Sequence, residues 1–350
     1  MKVRHTPLPA FVLALAIGVT TGCSTEQPDA AGSSQTATSR PVGVAVSTGP
    51  RERLTIDTSP SSVELDDSTG EVYVLASNEI LVFEQKSNAL INRIRVAPGA
   101  EDIAFDRVNR TAWVSGSSRS NAPEDRTVNI VDTQTKRVIG SVEVAYPAIA
   151  VGVDPLAHRA FVVNRPDDQT KVPDSRAWLT VFDTRTREEI TTIDLPFAAY
   201  DIDVDPNTHS VLIAGWFNAA LLSAQTLAVD RARSVGSASS SLEAVVDPER
   251  GRAYVVSDGA MWTISTGTSA SVTEREIDWD EGSMAIGPGS TLLVADYENR
   301  GLLVIDPETG SILRRVPVDV APNSIATTPD RRIAYVSSNP DKALSIIRFE

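Results

Sequence analysis

The body of this chain repeats itself, and a repeat period near 40 residues restricts the fold more than any other feature it has. An alternating apolar run ends in Asp or Asp-Pro, and an aromatic or large apolar residue follows seven positions later. Val63-Glu64-Leu65-Asp66 leads to Tyr73, and Ile103-Ala104-Phe105-Asp106 leads to Trp113. Asp154, Asp205 and Asp247, each followed by Pro, lead to Phe161, Leu212 and Tyr254. Two further copies carry Gly287-Pro288 and Thr328-Pro329 in place of the Asp, and the last leads to Tyr335. The anchors at 66, 106, 154, 205, 247, 287 and 328 are 40, 48, 51, 42, 40 and 41 residues apart.

The second half of each unit repeats as well. Val128–Thr133 precedes a polar turn and Val138–Val142; Leu179–Thr184 precedes Glu189–Ile193; Leu302–Pro307 precedes Ser311–Val316. Each pair reads as a β-hairpin. Helical periodicity is absent from the body. Units of four short strands at this period predict an all-β fold, a β-propeller of seven four-stranded blades spanning residues 51–350. After Tyr335 only Ala343–Phe349 remains, enough for a third strand but no fourth. The strand-like Arg53-Leu54-Thr55-Ile56-Asp57 stands unpartnered before the first unit. It is expected to complete the last blade and close the ring, which removes an exposed sheet edge.

These residues resemble the YVTN-repeat β-propellers, including the YncE-like bacterial periplasmic proteins. The likeness is carried by Ala253-Tyr254-Val255-Val256, Ala334-Tyr335-Val336-Ser337, Val72-Tyr73-Val74-Leu75 and Leu303-Val304-Ile305-Asp306-Pro307-Glu308-Thr309-Gly310. It covers roughly residues 53–350. It implies a fold and leaves function open, because one fold hosts many functions.

Residues 1–22 have the parts of an export signal: Lys2 and Arg4, an apolar stretch from Leu8 to Val19, and Thr20-Thr21-Gly22 before Cys23. The apolar run is too short for a membrane-spanning helix. Cys23 is the single cysteine of the 350 residues and stands where a bacterial lipobox places its lipidated cysteine, with Thr20 in place of the usual Leu. The chain is therefore expected to be a lipoprotein, held to the cell membrane outside the cytoplasm through palmitate-type acyl chains on Cys23. Residues 23–50, rich in Ser, Thr, Ala, Gln and Gly, read as a flexible tether.

Charge removes one class of partner. The chain has 32 basic and 46 acidic residues, net −14. No cluster of Lys and Arg interrupts this excess, so nucleic acid is excluded as an expected partner. With one cysteine and three histidines, cysteine- and histidine-based metal sites are excluded too.

The candidate site is the mouth of the central channel. Four residues before each anchor stand Ser62, Asp102, Ala150, Asp201, Glu243, Ser283 and Ser324; one place earlier stand Glu101 and Tyr200. With Glu281 close by, Glu101, Asp102, Asp201 and Glu243 are expected to make an acidic mouth with Tyr200 beside it, a set of oxygens that suits Ca²⁺ or another divalent cation. The long 48- and 51-residue spacings place extra loop residues at Ser115–Thr127 and Asn164–Ala177 on the same face. Arg126, Arg165, Trp216, Phe217, Tyr297 and Arg300 are the candidate recognition residues of that loop face. His158 and His209 fall in turns at the opposite face, so a Ser-His-acid arrangement at the mouth is not expected.

The favoured reading is a monomeric, non-enzymatic binding protein whose loop face takes an envelope protein, a peptide, a glycan or a small ligand. Two alternatives stay open: a metal-dependent hydrolase or lyase of the lactonase kind using the acidic mouth, and a divalent-cation-binding lipoprotein.

Overall fold

The computed structural model describes residues 51–350 apart from 117–122, 167–175, 216–217, 235–242, 258, 268–270 and 281. A short strand, β1 (Glu52–Thr55), opens the body. Unit one follows as β2 (Pro60–Asp66), β3 (Glu71–Ala76), β4 (Glu79–Glu84) and β5 (Leu90–Arg95). Unit two is β6 (Ala100–Asp106), β7 (Thr111–Gly116), β8 (Thr127–Asp132) and β9 (Arg137–Glu143). Unit three is β10 (Ala148–Asp154), β11 (Arg159–Asn164), β12 (Ala177–Asp183) and β13 (Glu189–Leu195). Unit four is β14 (Ala199–Asp205), β15 (Ser210–Gly215), β16 (Asn218–Ser223) and β17 (Val229–Ser234). Unit five is β18 (Glu243–Asp247), β19 (Arg252–Ser257), β20 (Ala260–Ser265) and β21 (Val272–Glu276). Unit six is β22 (Met284–Ile286), β23 (Leu292–Asp296), β24 (Gly301–Ile305) and β25 (Ile312–Pro317). Unit seven has β26 (Ser324–Thr327), β27 (Ile333–Ser338) and β28 (Ala343–Arg348).

Every pairing is antiparallel, and within a unit each strand pairs with the next. Five sheets of four strands stand alone as blades, where the repeat predicts seven. The other eight strands, β6–β13, form one eight-stranded sheet. The join is a single pairing, Ala148↔Gly116, between β10 and β7. Small residues permit it. A Cβ on Gly116 would lie 2.2 Å from the Gly99 carbonyl oxygen, so only glycine lets β7 approach this loop so closely.

The innermost strands follow one another round the channel: β2 packs on β6, β6 on β10, β10 on β14, β14 on β18, β18 on β22, β22 on β26, and β26 back on β2. The predicted latch is in place. β1 pairs with β28 through Arg53↔Ser345 and Leu54↔Leu344, and its strand ends at Thr55.

The core lies between units rather than inside each sheet. The residue seven after each anchor, Tyr73, Trp113, Phe161, Leu212, Tyr254 or Tyr335, is almost wholly buried. Tyr73 meets Phe105 of the next unit edge-on at 4.9 Å between ring centroids. In β2, β6 and β14 buried residues such as Val63, Ile103 and Ile202 pack in the core, and half-buried ones such as Ser62, Asp102 and Asp201 line the channel.

The anchor aspartates are structural. Each accepts backbone N–H groups two or three residues on, as Asp154 does from Leu156 (3.0 Å) and Ala157 (2.9 Å), which forms an Asx turn. The turn then needs a left-handed residue four places after the anchor. Gly70 and Gly251 fill it in units one and five, and Arg110, His158 and His209 fill it elsewhere with φ of 55° to 57°. Two of the three histidines of the chain are therefore explained by backbone conformation, and both lie at the end of the ring away from the candidate mouth.

Candidate functional site

The inner strands enclose a cavity of about 580 Å³ that runs along the channel. At the loop end its wall includes Ser62, Asp102, Asp201, Glu243, Ser283 and Ser324, the row expected from the alignment of repeats. One layer deeper lie Glu64 and Asp203. Neither was anticipated. The signal is present in the sequence, since side chains two apart on a strand face the same way, and Glu64 and Asp203 follow Ser62 and Asp201 by two. At the far end Arg107 pairs with Asp67 at 2.6 Å and Arg331 with Asp247 at 2.9 Å.

The mouth carboxylates join one unit to the next. Asp102 accepts Ile103 N–H on Oδ1 (2.8 Å) and Val151 N–H of unit three on Oδ2 (2.8 Å). Asp201 does the same with Ile202 (2.8 Å) and Ala244 of unit five (2.9 Å). Asp203 repeats it with Val204 (2.7 Å) and Val246 (2.7 Å). Where the row carries serine the hydroxyl takes the part: Ser324 Oγ accepts from Val63 N–H at 3.3 Å, and Ser283 Oγ from Ile325 N–H at 3.2 Å. An inner strand has no sheet neighbour on its channel side, so its outward N–H groups need partners, and these side chains supply them.

Burial dominates the protonation of this set. It pushes Glu64 up to about 8, with repulsion from Asp102 adding to it and the Leu65 N–H opposing. Burial also raises Asp102 and Asp203 to about 7 each, against the N–H bonds from Val151 and Val246. Asp201 is raised by burial as well. The folded chain therefore binds more protons than the unfolded chain between roughly pH 4 and pH 8. The stability these groups contribute is complete below the unfolded carboxylate range and is lost as pH rises through the folded values. The Arg185 guanidinium holds Asp183 well below the usual carboxylate range, outside this window. The melting temperature is expected to fall from pH 5.5 to pH 8.5. Glu64→Gln keeps an acceptor for Leu65 N–H and removes the charge, so it is expected to be about 2 kcal/mol more stable than the parent at pH 8.5 and close to it at pH 5.5. Calorimetry at the two pH values checks this, and equal melting curves for the two proteins at pH 8.5 would contradict it.

The other expected site residues fall in several places. Glu101 and Tyr200 sit at bulges, where the register shifts between Ala100 and Asp102 and between Ala199 and Asp201. A bulge turns the extra residue out of the strand row, so these two are not members of the channel ring. Arg165 is 8% exposed rather than free on the loop face. Its guanidinium lies 3.9 Å from the Tyr200 ring centroid, and Nη1 donates to the Tyr200 hydroxyl at 2.8 Å, tying units three and four together. Arg300 likewise links two units, pairing with Asp341 at 2.9 Å and donating to the Asp319 carbonyl at 2.9 Å. Tyr297 is half exposed in the β23–β24 turn, two units round the ring from Tyr200. Arg126 is exposed at the end of a 3-10 turn, Pro123–Arg126, ahead of β8. Trp178 stacks on Tyr146 at 4.4 Å between ring centroids. Trp216, Phe217, Glu281 and Cys23 lie outside the described residues, as do much of both long loops and the whole of residues 1–50.

Among the described residues no group of three or more His, Cys, Asp or Glu side chains is placed to hold a metal ion. Asp102 is drawn to the junction of β6 with β10, and Asp201 and Asp203 to that of β14 with β18, which holds Asp102 apart from the other two.

No family model matches the sequence, and no curated protein matches it. Solved structures do resemble the chain. Hydrazine synthase of Kuenenia stuttgartiensis aligns with a TM-score of 0.69 and 16% identity, over 84% of this chain and 97% of the other. The Cps50 (Swd1) β-propeller domain of Myceliophteria thermophila aligns at 0.68 and 12%, over 85% and 99%. A chain of a mitotic checkpoint complex aligns at 0.71 and 12%, over 94% and 99%. Likeness at this level of identity shows the fold: the chain is a β-propeller, with the carboxylate-lined channel as its candidate site.

Proposed function

We propose that the chain is a bacterial lipoprotein, anchored by Cys23 outside the cytoplasm, whose ring of seven repeat units serves as a binding scaffold of the YVTN-repeat kind. Its loop face takes a protein or peptide partner with a cationic surface. The observation that carries this reading is the charge of the loop end. Around the carboxylate-lined channel mouth stand the exposed Glu124, Asp278, Asp280 and Glu298, while Arg165 and Arg300 of the same face are engaged within the ring. Loops on a rigid scaffold suit recognition, and complementary charge steers association.

A thermal-shift series on the full chain tests the reading. Lysine-rich peptide is expected to raise the melting temperature at low salt, since ligand at about 100 times its dissociation constant adds about 2.7 kcal/mol. The shift is expected to shrink as salt rises and to vanish in a Glu124→Lys, Asp280→Lys, Glu298→Lys variant. A shift indifferent to these substitutions, or none, would overturn it. A shift with Ca²⁺ alone would favour cation binding instead. For the anchor, Cys23→Ala is expected to move the protein from the membrane fraction to the soluble fraction, and full retention on the membrane would contradict lipidation.

A further inference from the structure

A recess of about 340 Å³ opens between units five and six, at the end of the ring where the Asx turns lie. Its wall is one face of unit five. In the β19–β20 register Arg252 stands opposite Ser265 and Tyr254 opposite Thr263, and Thr263 in turn stands opposite Thr273 of β21. Arg275 follows Thr273 by two and faces the same way. Arg250, from the turn after Asp247, and Glu308, from the β24–β25 turn of unit six, complete the lining.

Cations outnumber acids here, in a chain of net −14. Arg250, Arg252 and Arg275 face the single carboxylate of Glu308, which Arg252 bonds and Arg250 approaches to 3.8 Å. Arg275 is half-buried and has no ion pair or hydrogen bond among the described residues. The other carboxylates nearby are turned elsewhere. Glu274 stands opposite Trp262, which packs with Leu212 and Ala214 of unit four, so it lies on the reverse face of β21. Glu276 shares that face. Asp306 caps its own turn, accepting from Glu308 N–H at 2.9 Å and the Thr309 hydroxyl at 3.0 Å, and Glu249 pairs with Arg331 at 3.1 Å.

Two hydroxyls on this face lack an acceptor. Tyr254 is fully buried, and neither its hydroxyl nor that of Thr263 has a hydrogen-bond partner among the described residues. Unit one shows what is missing. There Tyr73, the counterpart of Tyr254, donates to Glu71 at 3.2 Å, and Lys136 of unit two pairs with Glu71 at 2.5 Å. In units five and six the polarity is reversed. Arg252 takes the place of Glu71, two residues before the tyrosine, and the residue that reaches across is Glu308. A guanidinium cannot accept a hydrogen bond, so the Tyr254 hydroxyl is a donor without an acceptor.

We propose that this recess binds a small phosphate monoester of a polyol, such as a sugar phosphate. The guanidiniums offer forked N–H donors that match phosphate oxygens, and a phosphate oxygen gives the Tyr254 and Thr263 hydroxyls the acceptor they lack. Glu308, half exposed, yields Arg252 to the ligand. The exposed Ser271 and Thr273 meet the sugar hydroxyls. The volume suits one small ligand.

Titration calorimetry of the full chain with glucose 6-phosphate tests it, with glucose as the uncharged reference. Glucose 6-phosphate is expected to bind and glucose is not. Arg275→Gln breaks no contact of the ligand-free protein, so it is expected to keep the parent melting temperature and to weaken binding of glucose 6-phosphate about tenfold or more. Tyr254→Phe keeps the ring, removes the hydroxyl, and is expected to weaken binding about threefold. No binding of glucose 6-phosphate, glucose bound as tightly as its phosphate, or an affinity unchanged in Arg275→Gln overturns the proposal.

Discussion

Arg331→Ala is expected to cost the ring about 3 kcal/mol, the range for removing one partner of a buried ion pair. The loss comes from Asp247, which is fully buried at the anchor end of unit five. Its Oδ1 accepts from Arg331 at 2.9 Å and from Glu249 N–H at 3.2 Å, and Oδ2 has no partner. Arg331 comes from unit seven and passes the Ser290 hydroxyl of unit six, to which it also donates. Unit six is the unit whose anchor is Gly287 rather than Asp, so it offers no carboxylate of its own. One guanidinium thereby joins three units. Denaturant unfolding at pH 7 measures the loss as a lower midpoint at unchanged slope. Asp247→Asn in the Arg331→Ala background is expected to restore part of it, because the uncompensated charge is then gone. A loss under about 1 kcal/mol would show that channel water already stabilises Asp247.

Deleting residues 51–57 is expected to have an effect of similar or larger size. Ile56 is buried against Val63, Tyr335 and Leu344, and burying such a side chain contributes roughly 1.5–3 kcal/mol. Ile56 N–H also donates to the Lys342 carbonyl at 2.8 Å, and four residues of β1 pair along β28. Without β1 the edge of β28 is open, and an open edge recruits strands from other copies. The expected result is a lower melting temperature that depends on protein concentration, with dimers or larger species in size-exclusion chromatography. A monomer with the parent melting temperature would mean that the ring closes without its latch.

Much of the fold was legible in the sequence because it is local. The period of the anchors marks the inner strands, and the turn residues mark the hairpins. The absent fourth strand of the last unit, set beside an unpaired Arg53–Asp57, points to the latch. The less legible features are contacts between units. The separate-blade count fails at Ala148↔Gly116, where the approach of two small residues depends on the loop at Gly99. The carboxylates at 102, 201 and 243 were legible as a row, but the role of the first two depends on N–H groups 49 and 43 residues away. The Arg331 bond to Asp247 spans 84 residues. Arg165 looks like a free loop cation until Tyr200, 35 residues on, is seen to cover it. Repeats predict what each unit does alone, and the site is made where units meet.

Site-specific photo-cross-linking in whole cells tests the central claim, that the acidic loop face is the recognition surface. A photoreactive residue is placed at Arg126, Tyr297 or Leu313 of the full chain, one at a time; Leu313 lies on the outer strand β25 and serves as the reference. The account predicts that Arg126 and Tyr297 yield a shared protein adduct, weakened by the Glu124→Lys, Asp280→Lys, Glu298→Lys background, and that Leu313 yields none. Adducts confined to Leu313, or adducts at the loop face that persist unchanged in the charge-reversed background, would contradict it.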